Sequence, residues 1–131
     1  GAAPFVAGHP IEKPETFATA IRIGKPASWD LAVAARDDSG GLIDAVTDDQ
    51  ILDAYRILAD KEGFFVEPSS AASVAGLLQQ ASRGLVDAGS TIVCTVTGNG
   101  LKDTQWALES AKDPVVVPVD VKAAAAALGL A

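Results

Sequence analysis

The feature that most constrains this chain is an order repeated in its second half: apolar run, polar turn, amphipathic helix. Phe64-Phe65-Val66 is a short apolar run ending at Glu67-Pro68, and Val74, Leu77, Leu78 and Ala81 then recur at helical spacing up to Gly84. Thr91-Ile92-Val93-Cys94-Thr95-Val96 is a longer run, stopped by Thr97-Gly98-Asn99-Gly100 and followed by a helical pattern over Leu101 to Ala111. Two successive strand–turn–helix units predict parallel strands joined by right-handed crossovers. The expected fold class is therefore α/β, a parallel sheet with flanking helices. Both polar turns then open on the carboxyl edge of that sheet, where open α/β sheets bind their ligands. Val115-Val116-Val117-Pro118 offers a last strand at an edge, because proline cannot donate to a ladder.

The first half supplies helices and loops. Prolines at 4, 10, 14 and 26 predict a loop with one short ordered element between Glu15 and Gly24. Ser28 is an N-cap candidate for a helix through Trp29, Leu31, Ala32 and Ala35, ending at Asp37-Asp38-Ser39-Gly40-Gly41. Leu42 to Val46 reads as a short strand. Thr47-Asp48-Asp49-Gln50 has the form of a capping box, in which each side chain satisfies a backbone N–H that the first helical turn leaves without a partner. Ile51, Leu52, Tyr55, Leu58 and Ala59 then follow at helical spacing, and Gly63 can take the left-handed conformation that ends the helix. Ser69 or Ser70 is the expected cap of the next helix, and the alanines from Ala123 to Ala127 predict a final one.

Composition narrows the function classes. A length of 131 residues suits one domain, and 17 acidic against 10 basic residues give a formal charge of −7, which opposes general nucleic-acid binding. One cysteine and one histidine exclude an intramolecular disulfide and an ordinary zinc site, and they leave a Ser-His-Asp triad without support. Without a signal peptide or an apolar run long enough for a bilayer, a cytoplasmic protein is expected. A start at Gly1 and the absence of methionine suggest a cut, processed or tag-derived N-terminus. Cys94, in the middle of an apolar run, is expected to be a small core residue.

Three segments can carry chemistry. At Thr97-Gly98-Asn99-Gly100 a hydroxyl ends a strand beside glycines that let a ligand approach the backbone; the alternative is a tight turn in which Thr97 bonds local backbone. Glu67-Pro68-Ser69-Ser70-Ala71-Ala72-Ser73 puts a carboxylate and hydroxyls at a helix N-terminus, either as a ligand edge or as an ordinary cap. In Thr19-Ala20-Ile21-Arg22-Ile23-Gly24 small residues flank an arginine, either to line a flat ligand or bind an anion or, as expected, with Arg22 paired to one of the many carboxylates.

Taken in order, Pro14 to Gly24, Ser39 to Asp48, Glu67 to Ser73 and Thr97-Gly98-Asn99-Gly100-Leu101-Lys102-Asp103 resemble the C-terminal half of the threonine synthase family, over nearly the whole chain. The resemblance implies a fold-type-II pyridoxal-phosphate enzyme, with residues 1–131 as the C-terminal portion of its large domain and the N-terminal half absent. It implies pyridoxal 5'-phosphate as cofactor, O-phospho-L-homoserine and water as substrates, L-threonine and phosphate as products, and a homodimer. It also implies that Thr97 lies at the ring nitrogen of the cofactor, that Ala20 packs on the ring face, and that Gly98 gives ring and backbone room. Glu67 matches a carboxylate near the cofactor's edge in a supporting role. The Schiff-base lysine and the cradle for the cofactor phosphate lie upstream in the family; Lys102 matches the Leu-Lys-Asp segment and is not that lysine. The isolated chain is then expected to be inactive. Two other readings stay open: a related threonine or serine dehydratase, and a non-catalytic module that binds a small ligand or an oligomer partner.

Overall fold

A computed structural model describes residues 1–111 and 113–130. The chain opens with a single helical turn, α1 (Pro4–Ala7), closed by Gly8 in the left-handed conformation. Its Phe5 ring stacks on Trp29 at 4.4 Å, at the start of α2 (Trp29–Ser39). Between them a 3-10 turn at Thr19–Ile21 forms the ordered element expected in the proline-rich stretch.

The core is built by two helices. In α3 (Asp48–Glu62) the expected box is formed: the Gln50 N–H donates to Thr47 Oγ1 at 3.2 Å, and the Thr47 N–H donates to Gln50 Oε1 at 2.8 Å. Ile51, Ala54, Tyr55 and Leu58 share the buried face of this helix, and Gly63 at φ 71° ends it. The second helix, α4 (Pro68–Ser82), starts two or three residues earlier than a serine cap would require. Pro68, whose missing N–H costs nothing in the first turn, sets the start, so Glu67 takes the cap position and Ser69 and Ser70 lie inside the helix. Ala71 and Ala75 are fully buried, and their small side chains let α4 approach α3 closely. α4 also packs on the Thr19–Ile21 turn.

The second half departs from the pattern read in the sequence. Among the described residues no strand ladder forms; Leu42–Val46, Phe64–Val66, Thr91–Val96 and Val115–Val117 lie outside helices, and one isolated antiparallel bridge joins Val66 to Asn99. A parallel ladder needs a neighbouring strand on at least one side of each run, and the described chain brings none alongside them. Cys94 is accordingly half-buried, its thiol 4.0 Å from the Ser73 carbonyl, instead of lying in a core strand. The helix expected over Leu101–Ala111 is also divided: a 3-10 turn at Gly100–Lys102 is followed by a break at Asp103 and then by α5 (Gln105–Ser110). Asn99 accounts for the tight turn, because its side-chain oxygen accepts the Leu101 N–H at 2.9 Å. The alanine-rich end forms α6 (Val121–Ala127), capped by Asp120. Among the described residues no helix is long and apolar enough to cross a membrane.

Candidate functional site

The 97–103 loop is clamped onto the start of α4. On either side of the Val66–Asn99 bridge, the Glu67 N–H donates to the Gly98 carbonyl and the Gly100 N–H donates to the Phe65 carbonyl, both at 3.0 Å. A third bond comes from inside the helix: the buried Ser70 hydroxyl accepts the Gly98 N–H at 2.7 Å and lies 3.4 Å from Thr97 Oγ1. Thr97 therefore meets a side chain of α4 and not its own local backbone. One turn further on, Ser73 Oγ lies 3.3 Å from the Thr95 carbonyl, extending the seam.

Two of the sequence-expected residues are buried beneath this rim and two are exposed on it. Glu67 is 5% exposed, and its carboxylate lies against Gly98 while facing Lys102 Nζ at 3.6 Å. A side chain at Gly98 would fall on that carboxylate, with Glu67 Cγ only 2.6 Å from the added carbon. Gly100 is held in the same way by the Phe65 ring, 2.5 Å from where a Cβ would stand. Thr97 is exposed, and so is Ala20, in the Thr19–Ile21 turn. That turn is tied to the rim by Thr19 Oγ1, which donates to Asp103 Oδ2 at 2.7 Å, and by an edge-to-face contact of Phe17 with Trp106 at 4.8 Å. The structure thus brings Glu67, Thr97 and Gly98 together at the N-terminal turn of α4, with Ala20 in a turn that packs on the same helix.

The turn bearing Ala20 is fixed from behind. Thr16 Oγ1 donates to Asp48 Oδ1 at 2.5 Å, and Arg22 Nε donates to the Thr16 carbonyl at 2.8 Å. Arg22 thus holds backbone in place of the carboxylate expected of it. Burial, reinforced by the negative charge of Asp103, pushes the Tyr55 phenol above its ordinary pKa. At Asp44 the Ala45 N–H, helped by Arg83 and Gln80, holds the carboxyl below its usual value against a smaller opposing effect of desolvation. His9 Nδ1 lies 2.9 Å from the Pro10 carbonyl, and the described residues hold no cluster of metal-ligating side chains.

Sequence reasoning missed Ser70 as a partner of the rim, and with it Thr19 and Asp103. Ser70 and Gly98 are 28 residues apart and Thr19 and Asp103 are 84, so neither pairing leaves a local pattern. The glycine at 98 is a local trace of a close approach.

A family profile described as pyridoxal-phosphate dependent enzyme matches residues 1–98. Among curated relatives, the chain is 56% identical to the threonine synthase of Mycobacterium leprae over 99% of its own length and 36% of the relative's. It is 54% identical to the threonine synthase of Synechocystis sp. over 98% of itself and 34% of the relative, and 46% identical to that of Methanocaldococcus jannaschii over 86% and 28%. The chain thus spans about a third of the length of the curated relatives it matches. With the profile covering three-quarters of the sequence, up to the rim glycine itself, the chain belongs to the family of pyridoxal-phosphate-dependent enzymes.

Proposed function

We propose that residues 1–131 are the C-terminal portion of the large domain of a threonine synthase, an enzyme that converts O-phospho-L-homoserine and water to L-threonine and phosphate. The observation that carries this reading is the rim itself. An exposed Thr97 hydroxyl stands on a glycine turn bonded to the first turn of α4, in a chain whose relatives are named threonine synthase.

The residues present fit one side of the cofactor. When bound, pyridoxal phosphate supplies the electron sink for carbanion chemistry. Thr97 offers a neutral hydroxyl donor to a pyridine nitrogen, which tempers that sink where a carboxylate would strengthen it. Ala20 presents one methyl group on an exposed turn, a side chain small enough for a flat ring to lie against. Gly98 and the buried Glu67, whose carboxylate faces Lys102, keep the Thr97 backbone in one position. In this reading Lys102 is engaged by Glu67, and the lysine that bears the cofactor and the cradle for its phosphate belong to the remaining part of the enzyme.

The same reading accounts for the unformed sheet. Phe64, Phe65, Ile92 and Val93 are exposed apolar residues in runs of strand-like composition, which supports a parallel sheet completed by strands from the rest of the protein. A cytoplasmic homodimer is part of the proposal.

The test is to assay the intact gene product containing this sequence, loaded with pyridoxal phosphate, for phosphate release from O-phospho-L-homoserine and for ammonia release from L-threonine. Phosphate release with stoichiometric threonine is the expected result. Ammonia release without phosphate release would replace the synthase by a dehydratase, and turnover of neither substrate would favour a non-catalytic module.

A further inference from the structure

We infer that Ser70 is a positioning residue for the cofactor's ring nitrogen, acting through Thr97 by fixing which way the Thr97 hydroxyl proton points. This rests on the proposed placement of Thr97 at that nitrogen. The argument is a count of protons. Ser70 Oγ carries one proton and two lone pairs, and the Gly98 N–H occupies one lone pair at 2.7 Å. The Ser70 proton then needs an acceptor, because Ser70 is 4% exposed and a buried hydroxyl proton left unpaired carries its full desolvation cost.

Thr97 Oγ1, at 3.4 Å, is the acceptor that the described contacts give it. Thr97 is exposed, so its own proton is free to leave the protein side and point toward a ligand. Burial thus sets the direction of the chain of bonds: Gly98 N–H to Ser70, Ser70 O–H to Thr97, Thr97 O–H outward. A 3.4 Å contact is long for two hydroxyls, so it orients Thr97 more than it binds it, and it strengthens when an acceptor engages the outward proton. The result is a rim hydroxyl biased to donate, which is what an unprotonated pyridine nitrogen requires.

The experiment uses the intact gene product and reads two properties of the bound cofactor apart from turnover: the dissociation constant of pyridoxal phosphate, and the position and pH dependence of its visible absorbance band. Ser70→Ala is expected to weaken cofactor binding by about threefold to tenfold, the worth of one ordinary hydrogen bond, and to shift the band in the same direction as Thr97→Ala. Ser70→Thr, which restores a hydroxyl, should return both properties toward those of the native protein. Ser70→Cys, close to serine in size with a weak donor, serves if the alanine variant does not fold, and should behave like it.

In the double variant the two changes should not add, because both break one chain of bonds. A Ser70→Ala or Ser70→Cys protein with the native band and affinity, alongside a Thr97→Ala protein in which both change, overturns the role of Ser70. So does full additivity in the double variant. Native spectrum and affinity in Thr97→Ala would instead sink the placement of Thr97 on which the inference rests.

Discussion

On α3, Ile51, Tyr55 and Leu58 are 2%, 8% and 7% exposed, whereas in the later apolar runs Ile92, Val93, Val115 and Val116 are 45%, 85%, 76% and 92% exposed. Both regions are rich in large apolar side chains, so composition does not separate them. The difference is the partner. The α3 stripe recurs at helical spacing and meets the small face of α4 less than 30 residues away, so its burial is complete within the described chain. A run suited to a strand buries its residues only when other strands lie beside it, and one isolated bridge is not a ladder. Helices thus make their own hydrogen bonds and need only a facing surface, while strands need neighbours for both.

Four tests break or sharpen this contrast, taken from the largest effect downward. Leu58→Ala removes a buried side chain from the α3–α4 seam and should cost about 2–5 kcal/mol in chemical denaturation, enough to unfold a marginal domain. Gly98→Ala forces a methyl group onto the Glu67 carboxylate beneath the rim; a loss of about 1–3 kcal/mol is expected, partly relieved when Glu67 is shortened in the same protein.

A smaller effect has a pH signature. The pKa of the Tyr55 phenol is raised from its ordinary value of 10.0, so the stability it contributes is complete below that value and is lost as pH rises through the higher folded one. Alkaline titration of the melting temperature should show this fall, and Tyr55→Phe should flatten it. Val93→Thr and Val116→Thr should change stability by less than about 0.5 kcal/mol, since both side chains already face solvent. A loss of several kcal/mol at either valine, measured on the described chain alone, would mean that the two regions are not different in kind.

The sequence made the helices legible in proportion to how local their signals were. The Thr47–Gln50 box and Gly63 marked both ends of α3, because capping and left-handed termination are decided within four residues. The serines at 69 and 70 point to a start of α4 later than the observed one, because Pro68 outweighs a serine cap at the first helical position. The break at Asp103 had no local cue; it coincides with a residue held by Thr19 from the far end of the chain. At the rim, the glycines at 98 and 100 announced close approaches, but what approaches them, Glu67 and Phe65, is set by how the loop folds back. Arg22 shows the converse: a charge count predicted a carboxylate, and a carbonyl six residues away was nearer.

The exposed clasp between Thr19 and Asp103 makes the rim a door with one firm hinge and one weak latch. On the hinge side, Gly98 is bonded to buried Ser70 and paired with Glu67 through backbone, so opening there would unseat α4. On the latch side, a solvent-exposed hydroxyl–carboxylate bond and the Phe17–Trp106 contact join the turn bearing Ala20 to the loop bearing Thr97. The hydrogen bond contributes about 1.5–3 kcal/mol at most, less in full contact with water, so it is the weaker of the two ties. The turn bearing Ala20 and the loop bearing Thr97 are therefore joined by the ties that water reaches most easily, while the tie between that loop and α4 is the buried one.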